Sequence, residues 1–331
     1  MKKVLVLVLA MMFIVAAFAG CAAKTEEPAA AEPEKATSDE LYIGVYCLGS
    51  LEYFYDHKAG LEAAGKMMGV QTKYVGPADR DIAAMVDAFE QAIAEEPAGI
   101  IAFGADSALT AVVNKAEAAG IPVVLVDGDL SESDRSTFAG TGGYAACYQA
   151  GLKLGEALNG KGQVALLTTA DVEMYVERTN GYKDALAQFP EIEIVAIGDD
   201  KSDNIEAAAV SAAILQEYPD LAGIGCTDAT GGSAAATAVK EAGRQGEVAI
   251  IAMDRDQDVL DKIMSGDIYG TMVQNTALMP VYALMTCYTI NHLDVDISND
   301  NAAAGISYAP NNIDTGAIFV DKATAEYFMR S

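Results

Sequence analysis

The feature that most constrains this chain is a strand–helix alternation that runs twice. From Leu41 onward, short apolar runs alternate with amphipathic stretches. The apolar runs cover 41–48, 70–75, 99–104 and 121–127, then 163–168, 192–198, 222–226 and 247–254. Helical spacing covers 54–68, 82–95, 109–119 and 145–158, then 176–188, 206–218, 233–241 and 257–264. In 82–95, for example, Ile82, Met85, Val86, Phe89 and Ile93 mark one face. Near-continuous apolar strands separated by helices imply parallel sheets covered on both sides. The expected fold is α/β, with two doubly wound parallel-sheet lobes in series. Further strands are expected at 270–274, 303–308 and 313–320, so that the chain crosses back between lobes and makes a hinge.

The N-terminus reads differently. Met1-Lys2-Lys3, an apolar run over 4–18 and Phe18-Ala19-Gly20-Cys21 make a bacterial secretory signal. The run is short of the ~20 residues that span a bilayer as a helix. The segment is similar to the lipoprotein signal, in which the cysteine is lipid-modified and becomes the mature N-terminus. Residues 1–20 are therefore expected as a signal peptide and Cys21 as the lipidated residue. Residues 21–40 follow as a flexible linker. Its 24–39 stretch is rich in Ala, Pro, Glu and Lys and has no large apolar residue to offset ordering entropy. The folded part is expected to work outside the cytoplasm, anchored to the cell membrane.

The formal charge of −27 argues against nucleic-acid or anionic-surface binding, which needs clustered Lys and Arg. Beyond Cys21 the cysteines are Cys47, Cys147, Cys226 and Cys287, all in apolar segments and none in a CxxC pair. With only His57 and His292 beside them, a zinc site is not expected, and the four read as buried thiols. No metal or other cofactor is implied.

In open α/β sheets, ligands bind beyond the carboxyl ends of the strands. Gly49 to Tyr55 follow the first strand, Phe103 to Ser107 the third, and Asp127-Gly128-Asp129 the fourth. In the second half, Thr227-Asp228 and Asp254-Arg255-Asp256 follow strands, and Gln274 ends one. Aromatic rings, carboxylates, an amide and Arg178 suit a polyol. Its hydroxyls both donate and accept, and its carbon faces stack on rings. A single Asp at a strand end can equally be a helix cap, and the Tyr53-Phe54-Tyr55 run can be core. The joint occurrence of such groups in both halves carries the reading.

The same residues resemble a known family. IGVYCLGSLEYFY, GIIAFGADSALTAVVNKAEAAGIPVVLVD, VERTNGYKDAL and IAMDRDQDVLDKIMSGDIYGTMVQN, in that order over 41–275, resemble the periplasmic sugar-binding proteins of the ribose type. These are the solute receptors of ABC importers. The resemblance implies two lobes joined by three crossovers: 41–140 with 275–309, and 141–274 with 310–331. It implies a ligand in the cleft, with Tyr53 and Phe54 stacking on it. Asp127, Arg178, Asp254 and Gln274 would bond its hydroxyls. Phe103 stands where the family often has Asn, Thr227 where it has another, and Gly142-Gly143 where it has a third. Gly128 stands in place of an Arg. These departures disfavour plain ribose. Tyr74-Val75-Gly76-Pro77 is similar to the autoinducer-2 receptors.

The implied partners are a small sugar or polyol-like ligand and ABC permease subunits, with the receptor itself a monomer. The alternative role is a sensory receptor that presents bound ligand for chemotaxis or signalling. A hydrolase of the same shape is a further rival. No catalytic site is expected. Residues 155–161 mimic a phosphate loop but precede a strand, and no GxSxG elbow or HExxH helix occurs. A transcription regulator of this shape is disfavoured by the export signal.

Overall fold

The computed structural model describes residues 38–329 apart from Asp171 and Ala302. Cys21, the signal segment and most of the expected linker lie outside the described residues. The first lobe begins with β1 (Leu41–Val45), α1 (Glu52–Met68), β2 (Gln71–Val75) and α2 (Ile82–Ala94). It continues with β3 (Gly99–Phe103), α3 (Thr110–Ala118), β4 (Val123–Val126) and β5 (Thr137–Gly140). The second lobe contains α4 (Gly143–Ala157), β6 (Lys161–Thr168), α5 (Glu173–Leu186), β7 (Glu191–Asp199) and α6 (Asn204–Glu217). Then follow β8 (Leu221–Cys226), α7 (Ala229–Glu241), β9 (Ala249–Met253), α8 (Gln257–Ser265) and β10 (Gly270–Gln274). The chain closes with α9 (Leu278–His292), β11 (Asn312–Asp314) and β12 (Ala317–Asp321).

The strands form two six-stranded sheets, ordered β11-β5-β4-β3-β1-β2 and β12-β10-β9-β8-β6-β7. The two orders are equivalent strand for strand, so the duplication read from the sequence is a duplication of topology. All pairings are parallel except that of β12 with β10. Alternate residues of β1 enter different cores. Ile43 and Val45 pack with Met85, Phe89 and Val113 on one face, whereas Tyr42 packs with Leu61, Leu284 and Cys287 on the other. The second sheet repeats this, with Ala165 and Leu167 on one side and Val164 and Leu166 on the other. A pleated strand buried on both faces needs apolar residues at every position, hence the continuous runs. The four cysteines beyond Cys21 are free and buried.

Three segments join the lobes, and they bond to one another. The Asp314 carboxylate accepts from the Gly142 and Gly316 backbone N–H groups, both at 2.8 Å. The Asn275 side chain donates to the Thr315 carbonyl at 2.8 Å, and the Thr315 N–H to the Gly140 carbonyl at 2.8 Å. A Cβ at Gly142 would stand 2.4 Å from the Asp314 carboxylate, so the glycine at this expected Asn position lets the crossings approach.

Two expectations change. The last crossing was placed at 309/310, but β11 pairs with β5 from Asn312 to Asp314, so the chain leaves the first sheet only after Asp314. Residues 303–308 form no strand. Asn301 organises this segment as a loop. Its amide donates to the Val295 carbonyl and to the Tyr308 hydroxyl, and its oxygen accepts from the Ser298 N–H.

In the second lobe, α4 and α5 meet at Gly181. A Cβ there would lie 2.3 Å from the Tyr144 carbonyl oxygen and 2.9 Å from the Tyr148 nitrogen. Gly181→Ala is expected to force the helices apart and to cost about 1–3 kcal/mol, the usual penalty for overpacking. Urea denaturation checks it.

Candidate functional site

Asp127 and Asp254 are built alike in the two lobes. Asp127 follows β4 and Asp254 follows β9, equivalent strands of the two sheets. Both are left-handed, at φ 65° and 66°. Such a conformation costs a non-glycine residue of order 1–3 kcal/mol and persists where surrounding bonds hold it. Here they do. The Asp127 N–H donates to the Ala139 carbonyl of β5, and the Asp254 N–H to the Met272 carbonyl of β10. Each carboxylate is then oriented by a side chain of its own lobe. The Tyr53 hydroxyl donates to Asp127 Oδ1 at 2.6 Å, and Gln274 Nε2 donates to Asp254 Oδ1 at 2.8 Å.

The two halves of the site share one hollow. Tyr53 and Asp56 from α1 line it together with Asp254, Arg255, Asp256, Val273, Gln274 and Thr276. It holds about 340 Å³ of unfilled space, counting space open to solvent. Burial, followed by the charges of Asp127 and Asp254, pushes the Tyr53 hydroxyl well above its ordinary pKa, and Arg178 acts in the opposite sense. Tyr53 and Asp127 of one lobe thus lie within electrostatic reach of Asp254 and Arg178 of the other. Asp254 is half-buried and lines the hollow. Enclosure pushes its pKa up to about 6, against the opposing pull of Gln274 and Arg178.

Arg178 comes from α5, where Tyr175, Arg178 and Tyr182 recur at helical spacing. Its Nη1 donates to the Thr227 carbonyl at 2.8 Å, and the Tyr182 hydroxyl donates to the preceding Cys226 carbonyl at 3.3 Å. The guanidinium lies over the Tyr175 ring, 5.6 Å from its centroid. Arg178 is 6% exposed, and its Nε is buried without a protein partner. A Cβ at Gly143 would be 3.1 Å from Arg178 Cγ, so this glycine leaves the arginine its room.

The other expected residues divide. Phe54 is 3% exposed and belongs to the core, with the Phe103 ring 5.0 Å and the Tyr53 ring 5.2 Å away. Phe54 and Phe103 back the Tyr53 ring from within the first lobe. Thr227 is fully buried, and its hydroxyl donates to Thr168 at 2.9 Å. It ties β8 to β6 beneath Arg178. The missing Arg after Asp127 has a steric reason. A Cβ at Gly128 would lie 2.4 Å from the Gly104 carbonyl oxygen.

Sequence reasoning missed Asp56, Thr276 and Tyr175, and noted Arg255 only as part of the strand-end run after β9. Asp56 pairs with Arg255 across the lobes and accepts from the Thr276 hydroxyl at 3.0 Å, just beyond the crossing at Asn275. Helical spacing from Tyr53 could have placed Asp56 beside the site. Tyr175 similarly stands one turn before Arg178.

The periplasmic binding protein domain matches residues 45–291. The chain belongs to the periplasmic binding proteins. The family read from the residues is thus the family shown. An arabinose-binding protein from Geobacillus stearothermophilus superposes with a TM-score of 0.83 at 31% identity, covering 88% of this chain and 100% of its own. The sugar-binding protein of a sugar ABC transporter from Bacillus halodurans gives 0.82 at 34% identity, with coverage of 88% and 100%. A D-apiose import binding protein from Paraburkholderia graminis is 31% identical over 67% of this chain and 72% of its own length. These relatives are binding proteins rather than enzymes. Membership implies an extracytoplasmic location. Among the described residues, no helix is long and apolar enough to cross a membrane, and no cluster of three or more metal-ligating side chains occurs.

The raised Asp254 pKa gives a signed prediction. Its carboxyl binds a proton more readily folded, at about 6, than unfolded, near the ordinary aspartate value of 3.8. Between these values the native state holds more protons, so this group's contribution to stability falls as pH rises. Asp254→Asn is expected to raise the melting temperature of the ligand-free protein at pH 7.5. The gain should shrink through pH 6 and vanish near pH 4, as a thermal scan against pH would show.

Proposed function

We propose that this chain is an extracytoplasmic receptor that holds a small, uncharged, hydroxyl-rich ligand between its lobes and delivers it to an ABC importer. One observation carries the reading: two equivalent strand-end carboxylates, Asp127 and Asp254, one per lobe, oriented by Tyr53 and Gln274. Each has an acceptor oxygen beyond the one its orienting side chain engages. Arg178 adds a buried donor, Nε, that lacks a protein acceptor. A ligand hydroxyl can donate to either carboxylate and accept from Arg178. Leaving such groups unpaired in a closed cleft would cost about 1–3 kcal/mol each. The Tyr53 ring, backed by Phe54 and Phe103, offers an apolar face for the carbon side of a sugar.

Charge narrows the ligand further. The hollow is lined by Asp56, Asp254 and Asp256 against Arg255, whose charge Asp56 already engages. Sugar phosphates and sugar acids would meet net repulsion there. The relatives named for D-apiose import, xylitol and D-allose fit a ligand of pentose, hexose or polyol size. In this reading Cys21 carries the lipid, and the anchor raises the receptor's effective concentration near its permease.

A thermal-shift panel tests the ligand class. Neutral pentoses, hexoses or pentitols are expected to raise the melting temperature by mass action, while their phosphates and uronates leave it unchanged. A shift with the anionic compounds alone contradicts the proposal. With a neutral binder in hand, Arg178→Ala and Asp127→Ala should each weaken binding roughly ten- to hundredfold in calorimetry. Unchanged affinity in both variants would remove the assigned residues from the site.

A further inference from the structure

Asp56 stands apart from the groups that would bond a ligand. It sits one turn beyond Tyr53 on α1, and its carboxylate reaches across to the second lobe. The same oxygen, Oδ2, meets the Arg255 guanidinium and accepts from the Thr276 hydroxyl. Arg255 directly follows Asp254, and Thr276 lies two positions beyond Gln274. One first-lobe carboxylate therefore meets Arg255 of the second lobe, next to Asp254, and the crossing segment that follows Gln274. The side chains of Asp56 and Arg255 are only 24% and 27% exposed. That separates the pair from fully solvated surface ion pairs, which contribute little. The other interlobe bonds described above lie in the hinge, where they join the crossing segments rather than the walls of the hollow.

We propose that Asp56 is a positioning residue that clamps the lobes at the mouth of the site. It presses the Asp254–Gln274 arm against Tyr53 and favours the closed form without itself bonding the ligand. The inference rests on the two-lobed receptor reading, but its physical content concerns the ligand-free protein. A contact made only when the lobes are shut stabilises the shut form by its own interaction energy. Replacing Asp56 should therefore loosen the cleft-facing segments and leave both sheets intact.

Hydrogen exchange followed by mass spectrometry on the ligand-free full chain tests this without reference to any sugar. In Asp56→Asn, amides in peptides spanning 253–257 and 273–277 are expected to exchange about tenfold faster than in the parent, as local opening increases. Asp56→Glu, which keeps the charge, should restore most of the protection. Peptides from β3 and β8 should be unchanged in both variants. Parent-like exchange in Asp56→Asn would overturn the proposal, because a residue that only touched ligand would leave the ligand-free protein unaltered. A uniform rise across both sheets would overturn it too, since that is a folding defect. Neither outcome bears on whether the cleft accepts a neutral sugar, which the thermal-shift panel decides.

Discussion

The proposed site depends on one constraint: a carboxylate must be held at the end of the fourth strand of each lobe, Asp254 lining the hollow and Asp127 bonded to Tyr53, which lines it too. Asp127 and Asp254 meet it by leaving the strand in a left-handed conformation. The adjacent strand holds each backbone N–H, and one neutral donor holds each carboxylate. The arrangement has a cost. The backbone is strained, and Asp254 is enclosed enough to raise its pKa to about 6. Among the described residues Leu48, Glu96, Asn159, Lys201 and Ser202 are left-handed too, but Asp127 and Asp254 alone take that conformation at the ends of equivalent strands with an oriented carboxylate, a local conflict of the kind expected at functional sites.

Much of the remaining structure keeps these groups in place. The paired strand orders put β4 and β9 inside their sheets, flanked by a strand on each side. Arg178 is anchored at the end of β8 by the Thr227 carbonyl and given space by Gly143. Gly128 permits the close approach of the loops after β3 and β4. Asp314 and Asn275 tie the three crossings into one hinge. Each glycine that departs from the family pattern stands where a side chain would strike a neighbour.

The alternation of apolar runs and helical stretches was enough to read two doubly wound sheets, because strands buried on both faces leave a continuous apolar signal. Asp127, Asp254 and Gln274 could be picked out as candidates because strand ends are where such sheets bind, and the structure places all three at strand ends. What the chain concealed was long-range pairing. Asp56 and Arg255 are 199 residues apart, and neither carries a local signal that names its partner. The short β11 was merged with β12 into one stretch, 313–320, because only pairing shows that Asn312–Asp314 belongs to the first sheet. The apolar content of 303–308 read as a strand, yet Asn301 spends it in a loop. Phe54 and Thr227 kept positions that suit ligand contact, but the fold uses them to back Tyr53 and to support Arg178. Residue type does not separate a wall of a site from what stands behind it.

The central claim is a ligand bridged between the two carboxylates. A crystal structure of the complex with the neutral sugar or polyol that most raises the melting temperature tests it most directly. The account predicts density in the hollow between the lobes, with one hydroxyl within hydrogen-bond distance of Asp127, another of Asp254, and an oxygen near Arg178 Nε. Density elsewhere on the protein, or in the hollow but touching only one lobe, would contradict it.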